Sequence, residues 1–300
     1  MHAQRPIVTR KLSQGAQMEG VDPLLARLYA ARGVTDAAQL HYGLGSLAPV
    51  GSLDNISDAV DLLLAHKDER IVIVGDFDVD GATSTALMLR CLAAFGFENV
   101  DYLVPNRFEF GYGLSPEIVR VAAEMSPALI VTVDNGISSI DGVREANAFG
   151  IDVLVTDHHL PADELPEAEV IVNPNLAGST FASRNLAGVG VAFYLMAALG
   201  RALEQQGHAG ASKVAARYLD LVALGTVADV VPLDHNNRIL VQQGLARIRA
   251  GRTVAGIRAL LQLSNRQLAR TVSADLGFVV GPRLNAAGRP ARAVSLHPPR

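Results

Sequence analysis

No tryptophan, a single cysteine and only three lysines (Lys11, Lys67 and Lys213) occur among the 300 residues. One cysteine cannot build a disulfide framework, and Cys91 sits in an apolar helical run where a reduced, buried thiol is expected. No apolar run reaches the ~18 residues of a membrane span, and the start, MHAQRPIVTRKLSQ, lacks the apolar block of a signal peptide. Neither export nor a membrane partner is supported, and a reducing cytoplasm is the expected setting. With 49% hydrophobic and 19% charged residues, the chain has enough apolar side chains for a large core, which excludes disorder and collagen-like structure. Aromatic residues make up only 5%, so platforms for stacking bases are few.

Acidic residues are scarce at one end. Residues 235–300 hold eleven arginines and one acid, Asp275, whereas residues 1–234 hold 15 basic and 29 acidic residues. The net charge of −4 therefore hides a basic block behind an acidic body. Such a block suits an anionic ligand, or equally a solvated helix face.

From residue 71 short β-branched runs alternate with helical stretches. IVIVG (71–75), DYLV (101–104), ALIVTVDNG (128–136), IDVLVTDHH (151–159) and EVIVNP (169–174) read as strands. Helices are expected from about Ala82 to Phe95, from Ser115 and over SSIDGVREANAF. Strands apolar throughout and alternating with helices imply an α/β fold, a parallel sheet covered on both faces, with its ligand beyond the strands' carboxyl ends. Helical periodicity from about Gly188 to Leu263 adds a helical C-terminal portion. The expected organisation is a lead-in over 1–50, an α/β catalytic domain over 51–234, a helical arginine-rich remainder over 235–289 and an atypical tail over 290–300.

The chemistry collects at those carboxyl ends. The first strand runs into Asp76-Phe77-Asp78-Val79-Asp80-Gly81, three carboxylates and what reads as a turn glycine. Clustered carboxylates raise one another's pKa unless a cation neutralises them, and oxygen ligands at this density suit Mg²⁺ or Mn²⁺. An Asp-rich turn capping the next helix would need one aspartate, not three. The next strand ends in Asp134-Asn135-Gly136 and the following one in Asp157-His158-His159. Imidazole among carboxylates shifts preference toward Mn²⁺, and Asp157 is placed to orient a histidine ring. Asp229 follows an apolar helix in GTVADVVPL and needs a partner of its own.

DFDVDG, VDNG, TDHH and GTVADVVPL together resemble, in order, the four motifs of the DHH phosphoesterase superfamily. VPNRFEFGYGLSPE (104–117), NLAGVGVAFYL (185–195) and GPRLNAAGR (281–289) are similar to its bacterial single-strand-specific 5′-to-3′ exonucleases. That resemblance, over roughly residues 50 to 289, implies two Mn²⁺ or Mg²⁺ ions holding a water for attack on a phosphodiester of single-stranded DNA. Asp76 and Asp78 would hold one ion and Asp80, His158 and Asp229 the other, with Asp134 bridging. His159 would contact the scissile phosphate or assist the leaving oxygen, and Arg283, Asn285 and Arg289 would grip phosphate. A role in DNA repair and recombination follows from the same resemblance. So do a single-strand-binding protein and a helicase as partners of full-length members. Gly188 and Gly190 would open a helix whose amino end suits a phosphate.

Other readings remain. DVDGAT also resembles the nucleophile loop of haloacid-dehalogenase-type phosphatases, with Asp78 phosphorylated, but only Lys213 lies downstream and no Asp-Asp pair follows. A DHH-type pyrophosphatase, or a phosphodiesterase for short oligonucleotides or cyclic dinucleotides, shares the same ligands. A scaffold binding DNA or a partner with a dead metal site is the non-enzymatic alternative. After GPRLNAAGR, three prolines fall in the last eleven residues, where the family's linking helix would run. This end reads as a truncation or a shifted frame, leaving the catalytic domain alone.

Overall fold

The computed structural model describes residues 18–105 and 113–287. Arg289, the tail from 290 and residues 106–112 of the GYG-containing motif lie outside them. The chain divides into two units between Ser46 and Leu47. In the first, helix α1 (Pro23–Ala30) begins on an Asp22 cap, and Met18, Ala26 and Val34 form a small apolar cluster.

The second unit is built on five parallel strands, β1 (Ile71–Gly75), β2 (Val100–Leu103), β3 (Leu129–Val133), β4 (Asp152–Thr156) and β5 (Val170–Val172). Their order is β2-β1-β3-β4-β5, so the chain reverses direction across the sheet between β1 and β3. Alternate side chains divide two cores, as the two-residue period of a strand requires. Val72, Val74, Ile130, Val153 and Val155 pack with α4 (Pro116–Ala123) and α5 (Ile140–Ala148). Ile71, Ile73, Leu129, Val131 and Leu154 face the larger core. That core includes side chains of α2 (Ile56–Ala65), α3 (Val79–Ala94), α6 (Gly188–Gln205) and α7 (Leu219–Ala228). The parallel sheet covered by helices on both faces agrees with the expected fold class. Cys91 lies in this core, its thiol pushed up to about 12 by burial, which leaves it inert.

Helix α8 (His235–Arg249) packs on α7, and α9 (Ala255–Leu263) follows. A π-helical turn at Leu276–Val280 leads into α10 (Gly281–Ala287), which returns to α3. No helix among the described residues is long and apolar enough to cross a membrane.

Two details differ from the sequence reading. Helix α3 starts at Val79, not Ala82, because the Asp78 side chain caps it by accepting from Gly81 N at 3.0 Å. Gly81 is accordingly a helical residue and not a turn glycine. A Cβ there would stand 2.4 Å from the Asp76 carbonyl oxygen, so only glycine lets the helix start close against the strand end.

Candidate metal centre

Register puts the site in one row. Gly75 pairs with Val133, Val133 with Thr156, and Thr156 with Val172. The residue that follows each strand is therefore Asp76, Asp134, Asp157 or Asn173, which brings the four to the same end of the sheet. The row crosses the point where strand order reverses, the place where open α/β sheets hold their ligands.

Each carboxylate is fixed from a different direction. Asp80, buried in the first turn of α3, accepts hydrogen bonds from Gly188 N at 2.6 Å and Val189 N at 2.9 Å. The amino end of α6 therefore serves this carboxylate, not a phosphate as its glycines suggested. Thr83, Ser84 and Thr85 turn their hydroxyls back onto the carbonyls of Val79, Asp80 and Gly81, which fixes the helix start. Asp134 occupies the left-handed region at φ +62°, which aspartate tolerates better than most residues. A Cβ on Gly188 would stand 2.6 Å from its Cβ, so this glycine permits the approach of α6. Asn135 ties β1 to β3 by donating to the carbonyls of Val74 and Val133.

The histidines follow β4. His158 Nε2 lies 3.1 Å from Asp134, 3.5 Å from Asp229 and 3.9 Å from Asp80. Asp157 accepts from the amides of Ile137, His158 and His159 and from His159 Nδ1 at 2.7 Å, so it orients the second ring as expected. Asn173 donates to the carbonyl of His159 and Asn175 to that of His158. No signal in the sequence pointed to these two asparagines.

Three groups of ligand atoms come together: Asp76, Asp78 and Asp134; Asp80, His158 and Asp229; and Asp134, His158 and His159. Within each, the atoms lie inside 4.8 Å of one another. Electrostatics point the same way. Burial, then repulsion from Asp134 and Asp229, holds the Asp80 carboxyl well above its ordinary value. Asp134 is raised by burial and by Asp78, Asp157, Asp229 and Asp76, and Asp229 is raised chiefly by burial. Burial also pushes Asp157 upward, but its bonds from His159 and the amides outweigh that and hold it below the ordinary value. The bond to Asp157 holds the His159 imidazole above its own, against burial. His158 Nε2 and Asp229 Oδ2 are buried without a hydrogen-bond partner among the described residues. Carboxylate oxygens plus an imidazole, mutually repelling and partly unsatisfied, fit a pair of small divalent cations.

Of the expected phosphate-gripping residues, Arg283 and Asn285 lie on α10, and Arg289 lies outside the described residues. Asn285 Oδ1 accepts from Val79 N at 3.1 Å, beside Asp78 and Asp80. Arg283 is exposed and donates to the Val279 carbonyl at 2.7 Å. Other arginines of the basic block behave alike: Arg238, Arg249 and Arg258 donate to the carbonyls of Leu233, Thr271 and Gly251, and Arg266 pairs with Asp275.

Residues 70–226 match the DHH family, N-terminal domain. The chain belongs to the DHH family. DHH relatives include the single-stranded-DNA-specific exonuclease RecJ of Salmonella typhimurium, 54% identical over 96% of this chain and 51% of that protein. RecJ of Bacillus subtilis is 36% identical over 95% of this chain and 35% of its own length. The chain thus spans about half the length, or less, of these curated relatives. Among solved DHH structures, RecJ from Thermus thermophilus in complex with Mn²⁺ superposes with a TM-score of 0.75 at 35% identity. That match covers 90% of this chain and 37% of the other.

The Asp157–His159 pair yields one expected result. Asp157→Asn keeps the size of the side chain but removes the charge that orients the imidazole and favours its protonated form, so turnover should fall by about 10- to 100-fold while Mn²⁺ affinity changes less. Steady-state rates set beside a Mn²⁺ titration check it; an unchanged rate would make the pair structural.

Proposed function

We propose that the chain carries the catalytic centre of a single-strand-specific 5′-to-3′ DNA exonuclease acting in DNA repair and recombination. The observation that carries this reading is the convergence of Asp76, Asp78, Asp80, Asp134, His158 and Asp229 beyond the carboxyl ends of the strands. The chain is also similar, over nearly its whole length, to proteins named as single-stranded-DNA-specific exonucleases. Mn²⁺ or Mg²⁺ fits the donor set, and solved RecJ structures hold either ion.

In this reading Asp76, Asp78 and Asp134 would hold one ion, and Asp80, Asp134, His158 and Asp229 the other. Ions bound there supply an activated water near neutral pH and charge for the attacking and departing oxygens. The chain's own residues do the rest. Asp80 is held by two amides and Asp134 by a constrained backbone, so the carboxylates are set before substrate arrives. His159, with Nδ1 on Asp157 and its side chain 47% exposed, offers its imidazole to a phosphate oxygen or the departing oxygen. Arg283, Asn285 and Arg289 grip the phosphate backbone. A single-strand-binding protein and a helicase are the partners this role implies.

The test is direct. With Mn²⁺, purified protein should release nucleotides from a single strand but not from blunt duplex, and EDTA should stop the release. Equal rates on both substrates, or activity that survives EDTA, would overturn the reading.

A further inference from the structure

Among the described residues, no burial calls for a valine at position 230. Val230 lies just beyond Asp229, the residue that caps α7 and whose carboxylate stands 3.5 Å from His158 Nε2. Its φ is +63°. In that left-handed conformation a β-branched side chain crowds its own backbone, whereas glycine or asparagine adopts it readily. Burial offers no compensation, because Val230 is 82% exposed. Strain of this kind persists where the surrounding structure imposes it, and it gathers at ligand-binding sites.

A second aliphatic residue stands in a comparable place. Leu160 directly follows His159 and is 80% exposed. The contact of His158 with Asp229 brings the two loops to the same metal centre, and each places an exposed aliphatic one residue beyond a member of the site.

We infer that Val230 and Leu160 form an apolar lip on the metal centre that packs against the base and sugar of the nucleotide being removed. This rests on the exonuclease reading above and adds to it how the terminal nucleotide is seated. Single-strand binders usually stack bases on aromatic rings, and this sequence has no tryptophan and 5% aromatic residues. Aliphatic contact with a base face serves the same end, since every base has an apolar face, and a terminal base freed from its partner can turn that face onto the lip. Such a lip favours single strands without reading sequence.

The experiment uses the whole chain with Mn²⁺ and two 5′-phosphorylated oligothymidylates, identical except that one is abasic at its terminal nucleotide. The wild-type chain should prefer the base-bearing strand by about tenfold in KM, the size of a base contact. Val230→Asn and Leu160→Ser should each lose most of that preference, through KM and not kcat. Val230→Asn should melt at the same temperature or higher, because asparagine relieves the backbone. A wild-type chain without the preference, or variants that keep it, would overturn the lip. So would a Val230→Asn chain that loses Mn²⁺ affinity and melting temperature together, since the valine would then act by shaping Asp229. If the wild-type chain binds Mn²⁺ but cuts neither strand, the exonuclease reading itself fails and the lip falls with it.

Discussion

Replacing Asp134 by asparagine or alanine is expected to abolish turnover of single-stranded DNA and leave the fold intact. Asp134 belongs to two of the three groups of ligand atoms and lies 3.1 Å from His158, so its loss disturbs both candidate ion positions together. The fall should exceed the ~100-fold typical of losing a residue that only supports a ligand. The fold should survive because this carboxylate is buried amid the repulsion of Asp78, Asp157, Asp229 and Asp76. Asparagine is the cleaner variant. It accepts the left-handed backbone at φ +62°, whereas alanine adds conformational cost there. In EDTA, Asp134→Asn should melt above the wild type. More than about a tenth of wild-type activity in either variant would contradict the bridging role.

The second large effect is on stability, and its sign depends on metal and pH. Without metal, Asp80, Asp134 and Asp229 have raised pKa values in the folded chain. A group raised on folding adds stability below its unfolded value, about 3.9 for aspartate, and that contribution is lost as pH rises through the folded value. The metal-free site therefore weakens the fold increasingly as pH climbs from about 4 toward neutrality. Asp157 works the other way: its contribution is present above the ordinary carboxylate value and is lost only in stronger acid. Cations invert the balance, since they bind the ionised carboxylates. At pH 7, Mn²⁺ at a hundredfold excess over Kd should add about 2.7 kcal/mol per ion, or roughly 10 °C in Tm for two ions. The gain should fade as pH falls toward about 4. Melting curves with Mn²⁺ and with EDTA across this range check it; a gain independent of pH would place the ions away from these carboxylates.

What the sequence made legible was local. β1, β3 and β4 could be read from IVIVG, LIVTV and DVLVT because strands buried on both faces are apolar throughout. The polar residues that interrupt those runs then marked the site. Asp157 could be paired with a histidine because the two adjoin in the chain. What lay hidden joins distant segments. The amides holding Asp80 come from positions more than a hundred residues away, and no pattern near Asp80 announces them. Gly188 read as the opening of a phosphate-binding helix and Gly225 only as part of a motif, yet a Cβ on either would strike Asp134 or Asp80. The start of α3 was misplaced because Asp and Gly are also the commonest turn residues, and only the cap formed by Asp78 decides between turn and helix. The arginine block read as an anionic-ligand surface or a solvated face. Several of its guanidinium groups donate to backbone carbonyls, a use that composition cannot reveal.

The central claim is that three strand ends and Asp229 assemble one centre for two ions joined through Asp134. Equilibrium Mn²⁺ titration by calorimetry at neutral pH tests it most directly. Two ions should bind per wild-type chain, and fewer than two per Asp134→Asn chain under the same conditions. A wild-type chain that binds no Mn²⁺, or an Asp134→Asn chain that binds two with unchanged affinity, would contradict it.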